Sequence, residues 1–412
     1  MNRRSFLAAT GAAAGATLLA GPRALARRRD RLRIGVVGVG NRGAGNLAAV
    51  EHEEIAALCD VDRRPLDQAA ARHPDARTFR DWRDLVAMDG LDAVVVSTPD
   101  HAHFPIAKAA LEAGKDVYVE KPLTHTVSQA RELRTLANAR RAVTQMGTQI
   151  HAGANYRRVV EAIRAGAVGP VREVHVFCSK SWSGGERPTE TPPVPEWLDW
   201  DLWLCGAPPR PYHSAYHPAG WRRFWAFGGG TLGDMGCHYL DLAWWALDLT
   251  APTTVDAKGP PLHDETTPGW SIVDWEHPAH GDRPACRVSW YDGAVRPALL
   301  APFGLAAWTD GVLFVGDDGW LVSDYDRHAI GPEARARAFT PPPPSLPDSI
   351  GHHREWTEAI RGRGAPTCPF SSAGPLTEAV LLGNVAFRVG KRLAWDDAAG
   401  RVTSCEEANA LL

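Results

Sequence analysis

The sequence predicts an α/β N-terminal domain of the Rossmann type, with a doubly wound parallel sheet, followed by an α+β domain with an open, mainly antiparallel sheet. Three observations predict this. Strand-like and helix-like segments alternate over residues 31–148, a glycine-rich turn follows the first strand, and the periodicity changes after Gly147. A chain of 412 residues is longer than a domain with a single hydrophobic core usually is. Two domains are therefore expected, over residues 31–148 and 149–412.

The first domain is predicted from short apolar strands that alternate with helices. Ala93–Ser97 is a largely apolar run of the kind found in parallel strands buried on both faces. The predicted strands are Leu32–Val39, Ile55–Cys59, Ala93–Ser97, Asp116–Val119 and Ala142–Met146. The predicted helices are Asn41–Val50, Arg63–Arg72, Ala102–Ala113 and Val127–Ala137.

The second domain is predicted to mix helices, antiparallel strands and one long loop. Its predicted elements are helix Asn155–Ala165, strand Val171–Ser179, a loop over residues 184–223, a helix that runs to Leu247, and strands Arg287–Trp290, Gly311–Val315 and Trp320–Ser323. An apolar helix over residues 376–390 is expected to pack back onto the first domain.

Composition places the chain among ordinary soluble globular proteins and excludes some partners. Hydrophobic residues make up 44% and charged residues 23% of the chain, and the net charge of −3 gives no sign of a nucleic-acid partner. The seven cysteines form no CxxC pair, so buried thiols are expected and no metal site is predicted. Sixteen tryptophans, many of them between Trp182 and Trp245, suit either a thick core or a sugar-binding cleft.

The first 26 residues have the form of an export signal. Arg3 and Arg4 are followed by Ser-Phe-Leu and a weakly hydrophobic run of Ala, Gly, Thr and Leu. Ala24-Leu25-Ala26 then has the small-x-small form of a cleavage site. This pattern resembles a twin-arginine signal peptide. The run is too short and too rich in Gly and Ala to be held stably in a membrane. The sequence therefore predicts a periplasmic or otherwise exported protein, translocated after it has folded around a cofactor.

A dinucleotide site is predicted at the first turn of the first domain. The motif GxGxxG spans residues 38–43, directly after a strand and at the start of a helix, with Asn41 and Arg42 between the last two glycines. Gly38 permits the tight turn, Gly40 lets the backbone approach a pyrophosphate, and Gly43 allows close packing of helix on sheet. Asp60 follows the second strand, where a ribose-binding acid belongs. Its charge favours NAD over NADP, although Arg63 and Arg64 leave NADP as an alternative.

Two further segments stand at the carboxyl ends of predicted strands, where ligands bind in such sheets. They are Thr98-Pro99-x-x-x-His103 and Glu120-Lys121-Pro122. Together with GxGxxG and Asp60, in this order and spacing, they make the chain similar to the glucose-fructose oxidoreductase / inositol dehydrogenase / rhizopine-catabolism (Gfo/Idh/MocA) oxidoreductases. The resemblance implies that Lys121 lies beside the nicotinamide and hydrogen-bonds the reacting hydroxyl, and that Thr98, Pro99, Glu120 and Lys121 border the cofactor. His103 is expected either to line the nicotinamide or to cap its helix.

The glycine-rich segment 228–238 carries the second half of the predicted catalytic set. Asp234 and His238 are four residues apart on a predicted helix, so they share one face. A carboxylate one turn from an imidazole can raise the basicity of that imidazole, which suits a base that takes a hydroxyl proton. The family resemblance implies that these two residues complete the set with Lys121. A polar cluster at a helix start is the structural alternative.

Substrate contacts are predicted from the aromatic loop and from one further histidine. The density of aromatic rings in the loop argues against disorder and for a wall of the substrate cleft. The candidate substrate-binding residues are His151, Tyr212, His217 and Trp221.

The leading functional prediction is hydride transfer between a nicotinamide and a secondary hydroxyl of a sugar, polyol or glycoside. Since an exported enzyme meets no free NAD pool, the alternative is a closed-cycle glycosidase- or epimerase-like activity through a transient keto sugar, with tightly bound NAD. Two further alternatives are a catalytically silent sugar-binding protein and a metalloenzyme using His213, His217, Asp234 and His238. A homo-oligomer formed through the C-terminal sheet is expected from the resemblance.

Overall fold

The computed structural model describes residues 30–412, and the predicted signal peptide over residues 1–26 lies outside them. Within residues 30–412, none of the helices combines the length and the apolar character that crossing a bilayer requires. All seven cysteines fall in this part of the chain and are unpaired; six are buried and Cys205 is half-buried.

The first sheet contains six parallel strands in the order β3-β2-β1-β4-β5-β6, which confirms the predicted Rossmann fold. The strands are β1 (Arg33–Val37), β2 (Glu54–Cys59), β3 (Arg77–Phe79), β4 (Ala93–Val96), β5 (Asp116–Val119) and β6 (Thr144–Met146). The helices are α1 (Arg42–Ala49), α2 (Arg63–Arg72), α3 (Trp82–Ala87), α4 (Asp100–Glu112) and α5 (Val127–Arg140). The sheet order reverses between β1 and β4, and the carboxyl ends of these two strands form the crevice where ligands bind in this fold.

Strand β3 and helix α3 were not predicted from the sequence. The three residues of β3 are largely exposed and give no apolar run, so the periodicity carries no signal there. Helix α3 is only six residues long and begins because the Asp81 carboxylate caps the backbone N–H of Arg83.

The second sheet contains nine strands in the order β13-β12-β11-β7-β10-β9-β8-β14-β15. It is antiparallel apart from the β7–β10 pair, as the predicted mainly antiparallel sheet requires. The strands are β7 (Val171–Phe177), β8 (Thr254–Lys258), β9 (Ile272–His277), β10 (Cys286–Tyr291), β11 (Gly311–Gly316), β12 (Gly319–Ser323), β13 (His328–Gly331), β14 (Leu393–Asp396) and β15 (Arg401–Val402). The helices are α6 (Ala154–Arg164), α7 (Trp200–Leu204), α8 (Gly230–Leu247), α9 (Glu333–Ala338), α10 (His352–Ile360), α11 (Phe370–Val389) and α12 (Glu406–Asn409), with 3-10 turns at Gln149–Ala152, Gly220–Arg223 and Ala298–Leu300.

Helix α11 joins the two domains into one core. Helix α11 packs on α5 of the first domain and on α8 and β8 of the second. Helix α11 begins six residues before the predicted start at residue 376, because hydrogen bonds hold the residues at its N-terminus against β6. The backbone N–H of Cys368 donates to Gln145 at 3.0 Å, and that of Phe370 donates to the Thr144 hydroxyl at 3.0 Å.

Candidate active site

The turn between β1 and α1 is shaped to receive a nucleotide. Gly38 has a positive φ of 81°, and a Cβ on Gly43 would lie 2.0 Å from the Gly38 carbonyl oxygen, so both positions require glycine. No side chain caps the start of α1, which leaves backbone N–H groups there for an anion. The Thr98 hydroxyl, on the neighbouring strand end, is buried and has no partner among the described residues. These features fit the pyrophosphate and ribose groups of a dinucleotide.

Asp60 stands where the ribose of the nucleotide would lie. Its carboxylate accepts the backbone N–H of Val39 at 2.9 Å and that of Asp62 at 3.0 Å. Burial raises the pKa of Asp60, and the two N–H donors oppose that rise. Arg64 is occupied elsewhere, since it pairs with Asp62 at 2.7 Å and stacks on a tryptophan ring. This arrangement favours the unphosphorylated ribose of NAD.

One cavity of about 590 Å³ joins the glycine turn to the predicted catalytic residues. Thirteen of the predicted site residues line it. They are Gly38, Gly40, Asn41, Arg42, Asp60, Thr98, Pro99, Glu120, Lys121, His217, Trp221, Asp234 and His238. The fold therefore brings together residues that lie up to 200 positions apart in the sequence.

The other four predicted site residues lie outside the walls of this cavity. Gly43 packs beneath the turn, and Tyr212 lies in an aromatic cluster against Trp200. The His103 ring faces the carbonyl oxygens of Pro122 and Thr98, at 2.8 Å each, and so links the two motifs that frame the nicotinamide end. His151 lines a second cavity.

Asp234 is held between two cations at the catalytic end of the cavity. The Lys121 ammonium donates to its carboxylate and, at 3.0 Å, to its backbone carbonyl. The Arg222 guanidinium donates to the same carboxylate oxygen at 3.0 Å. Burial alone would raise the pKa of Asp234, but Lys121 and Arg222 outweigh it and hold that pKa at about 2. Asp234 is therefore ionised at any pH at which the protein works.

Asp234 and His238 lie four residues apart on α8 and the Asp234 charge raises the pKa of His238, as predicted, but the hydrogen bonds of the Asp234 carboxylate go elsewhere. The Asp234 carboxylate is taken by Lys121 and Arg222, and His238 Nδ1 is buried with no hydrogen-bond partner among the described residues. Burial and the nearby Lys121 charge lower the pKa of His238 to about 3, although Asp234 opposes this. His238 is thus a neutral imidazole at neutral pH.

Glu120 ties the glycine turn to the catalytic lysine that follows it in the chain. Its buried carboxylate accepts from Arg42 at 3.2 Å, Asn46 at 2.9 Å and Gln149 at 2.7 Å. Burial would raise the pKa of Glu120, but Arg42 and Lys121 outweigh it and lower that pKa. The Glu120 carboxylate is therefore ionised, and it fixes the positions of the side chains around it rather than carrying a proton.

Sequence reasoning missed Arg222, Gln149 and Asp100, which all line the cavity. Arg222 directly follows the predicted Trp221, but nothing in the sequence shows that it meets Asp234. Asp100 lies within the Thr98–His103 motif, where the family pattern assigns no role. Its position at the start of α4, in the segment that follows the carboxyl end of β4, is the signal that could have identified it.

Asp100 gives the site a group that titrates near neutral pH. It is 3% exposed, and burial raises the pKa of its carboxyl to about 7, while Arg222 lowers and Asp234 raises that pKa. Because the folded pKa lies above the unfolded value, the ionised form costs stability, and this cost appears as the pH rises from about 4 to 7. Asp100→Asn should therefore stabilise the chain by on the order of 4 kcal/mol at pH 8 and by only about 1 kcal/mol at pH 4.5.

Urea unfolding of the two chains at both pH values would measure this difference. Asp75→Asn, on an exposed loop, is the matched control and should change neither midpoint. If Asp100→Asn changed the free energy of unfolding by the same amount at pH 4.5 and at pH 8, the Asp100 carboxyl would not have the raised pKa.

Two models of one oxidoreductase family match the chain. The first, described as the NAD-binding Rossmann fold of the family, matches residues 32–148, and the second, its C-terminal alpha/beta domain, matches residues 168–282. Together they match more than half of the chain.

Curated relatives match only parts of the chain. A glycosyl hydrolase family 109 protein from a Shewanella species is 31% identical over 157 residues, which cover 35% of this chain and 34% of that protein. The uncharacterized oxidoreductase YdgJ of Escherichia coli is 38% identical over 114 residues, which cover 27% of this chain and 32% of that protein. The chain thus spans about a third of the length of the curated relatives it matches.

Solved structures share the fold over nearly the whole chain. The WlbA dehydrogenase from Bordetella pertussis, solved with NADH and UDP-GlcNAcA, superposes with a TM-score of 0.64 at 18% identity, over 89% of this chain and 99% of that one. The aldose-aldose oxidoreductase from Caulobacter crescentus, complexed with glycerol, gives a TM-score of 0.61 at 18% identity, over 89% and 100%.

Proposed function

Because the chain belongs to the Gfo/Idh/MocA oxidoreductase family, we propose that it transfers a hydride between NAD and a secondary hydroxyl carbon of a sugar, polyol or glycoside. The observation that carries this proposal is the single cavity that joins the nucleotide turn to Lys121, Asp234 and His238. The sugar-type ligands of the WlbA and aldose-aldose oxidoreductase structures support the substrate class.

In the proposed oxidation of a hydroxyl, each residue at the catalytic end has a separate role. NAD, held by the glycine turn and Asp60, supplies the hydride acceptor. Lys121 would donate a hydrogen bond to the substrate oxygen and stabilise the negative charge that develops on it. The neutral His238 imidazole would accept the hydroxyl proton, and positioned proton transfer of this kind contributes about 10²–10⁴-fold to the rate. Trp182 and Trp221, which line the same cavity, offer flat apolar faces for a sugar ring and exclude water.

A closed catalytic cycle with retained NAD is the second candidate, and one structural feature favours it. The aromatic strap, residues 197–223 of the second domain, crosses the nucleotide end of the cavity. His217 pairs with Asp62 at 2.9 Å, the backbone N–H of Arg63 donates to Trp197 at 2.9 Å, and the Arg64 guanidinium lies 3.3 Å from the centre of the Trp197 ring.

These contacts would slow the release of a nucleotide bound beneath the strap. The family 109 name of several curated relatives is consistent with a hydrolytic outcome. Export through the predicted signal over residues 1–26 would make such retention necessary, and fractionation of cells producing the full chain would test that export.

Nucleotide content is the experiment that tests retention. The purified chain is denatured and the released NAD and NADH are counted per chain; we expect close to one. His217→Ala should loosen the strap and speed exchange with added NAD by at least about tenfold, since it removes a part-buried charge-assisted contact. His213→Ala, on the same segment, is the control and should exchange at the wild-type rate. An empty wild-type chain that binds added NAD only weakly would instead indicate a dissociable dehydrogenase.

A further inference from the structure

A second cavity of about 350 Å³ lies further along α8, beyond the catalytic residues. It is lined by His151 from the 3-10 turn Gln149–Ala152, by Asp241 and Trp245 from α8, and by Cys368 from the segment before α11. The residues come from three separate parts of the chain, which is why the cysteine spacing gave no sign of them.

The three polar side chains are close together and held in place. One ligand atom from each of His151, Asp241 and Cys368 lies within 4.8 Å of the others, and all three residues are buried. His151 Nδ1 is 2.8 Å from Asp241 Oδ2. The imidazole is stacked on the Trp245 ring, with centroids 3.8 Å apart, so its orientation is fixed.

We propose that His151, Asp241 and Cys368 bind one divalent transition-metal ion of the Zn²⁺ type, with the fourth coordination position open to the second cavity. Imidazole nitrogen, carboxylate oxygen and thiolate sulfur are the ligands that zinc takes, at about 2.0–2.3 Å. Tetrahedral coordination at those lengths separates the ligand atoms by about 3.3–3.8 Å. To reach this geometry, the ligand atoms would close from within 4.8 Å of one another, and the His151–Asp241 contact would open from 2.8 Å.

The charges of the proposed site balance. A carboxylate and a thiolate together neutralise a divalent cation, and the imidazole ligates as a neutral ring. Formation of the metal–sulfur bond releases the Cys368 thiol proton to solvent, and no oxidation or reduction occurs. A neutral assembly of this kind avoids leaving an uncompensated charge in a buried place.

A bound ion would join the two parts of the chain that position the catalytic residues. Gln149, in the same 3-10 turn as His151, donates to Glu120, and α8 carries Asp234 and His238 as well as Asp241. The metal would therefore act as a structural brace between the turn that supports Glu120 and the catalytic helix. This role is independent of which reaction the active site performs.

Cobalt(II) titration of the full chain, after treatment with a chelator, tests the proposal. We expect one Co²⁺ per chain, with visible bands of tetrahedral cobalt and a near-ultraviolet band from thiolate-to-metal charge transfer, recorded as difference spectra against the metal-free chain. Cys368→Ser should lose the charge-transfer band and lower the affinity by at least about 100-fold. Cys286→Ser removes a buried thiol on β10 and should leave the titration unchanged.

Circular dichroism and nucleotide content on the same samples separate loss of the metal from loss of the fold or of the proposed NAD site. His151→Gln keeps a polar contact to Asp241 and should weaken Co²⁺ binding by at least about tenfold, which provides a second reading if Cys368→Ser does not fold. A wild-type chain that gives no cobalt bands, or variants that titrate as the wild type does, would overturn the proposal.

Discussion

Replacing Gly43 with alanine is expected to weaken NAD binding by at least about 100-fold, or about 2.7 kcal/mol. The new methyl group would lie 2.0 Å from the Gly38 carbonyl oxygen, 2.7 Å from its carbonyl carbon and 3.2 Å from the Ser97 side chain. Since the first two are backbone atoms, no rotation of a side chain can relieve the contact. Helix α1 must move away from β1, and its N-terminal N–H groups then leave the position of the pyrophosphate.

Gly45 provides a control within the same helix. It is exposed, and a Cβ built there meets no atom within 4 Å. Gly45→Ala should bind NAD as the wild type does and be more stable by about 1 kcal/mol, because alanine is the better helix former. Equilibrium dialysis with NAD on chains stripped of nucleotide, together with thermal unfolding, would measure both effects. Equal NAD affinity in the Gly43→Ala and Gly45→Ala chains would show that the turn between β1 and α1 does not bind the nucleotide.

The nucleotide half of the site could be predicted from the sequence because its requirements are local. Gly38 needs its positive φ and Gly43 needs its close contact with the Gly38 carbonyl, both of which arise within six residues, and Asp60 is placed by the end of a strand. The structure adds the aromatic strap over this half. The pairing of His217 with Asp62 joins residues 155 positions apart, and no periodicity encodes it.

The catalytic half could be predicted in its members but not in its connections. Asp234 and His238 share a helical face, as their spacing predicts, yet the Asp234 carboxylate is taken by Lys121 and Arg222. Helical spacing determines which residues of one helix are near one another. It does not determine whether the Asp234 carboxylate accepts its hydrogen bonds from an imidazole of the same helix or from cations of other segments. A buried imidazole would have to take up a proton to compete as a cation, and burial lowers the pKa of His238 to about 3.

This arrangement gives Asp234 a second role beside the one predicted. An ionised carboxylate with two cationic partners fixes the position of the Lys121 ammonium, and its charge also raises the pKa of His238 against the larger effects of burial and Lys121. In the proposed reaction, proton transfer depends on the neutral His238 ring.

Lys121→Met is expected to lower the rate of hydride transfer by about 10³-fold while leaving NAD bound. The change removes the donor to the substrate oxygen, and interactions of this type with developing charge are worth about 10²–10⁴-fold. The fold should tolerate it, because Arg222 still pairs with the buried Asp234 carboxylate at 3.0 Å. Lys121→Arg keeps the charge but places it on a planar group of different reach, so a smaller loss is expected.

The measurement is the rate at which bound NAD is reduced in a single turnover, followed by absorbance after mixing with each member of a panel of aldoses, polyols and glycosides. The sugar that responds with the wild-type chain is used for the variants, and nucleotide released on denaturation shows that each variant remains loaded. Lys108→Met, on the exposed side of α4, should react at the wild-type rate. If loaded Lys121→Met reduced its NAD within tenfold of the wild-type rate, the lysine would only support the Asp234 position, and His238 would have to supply the catalysis alone.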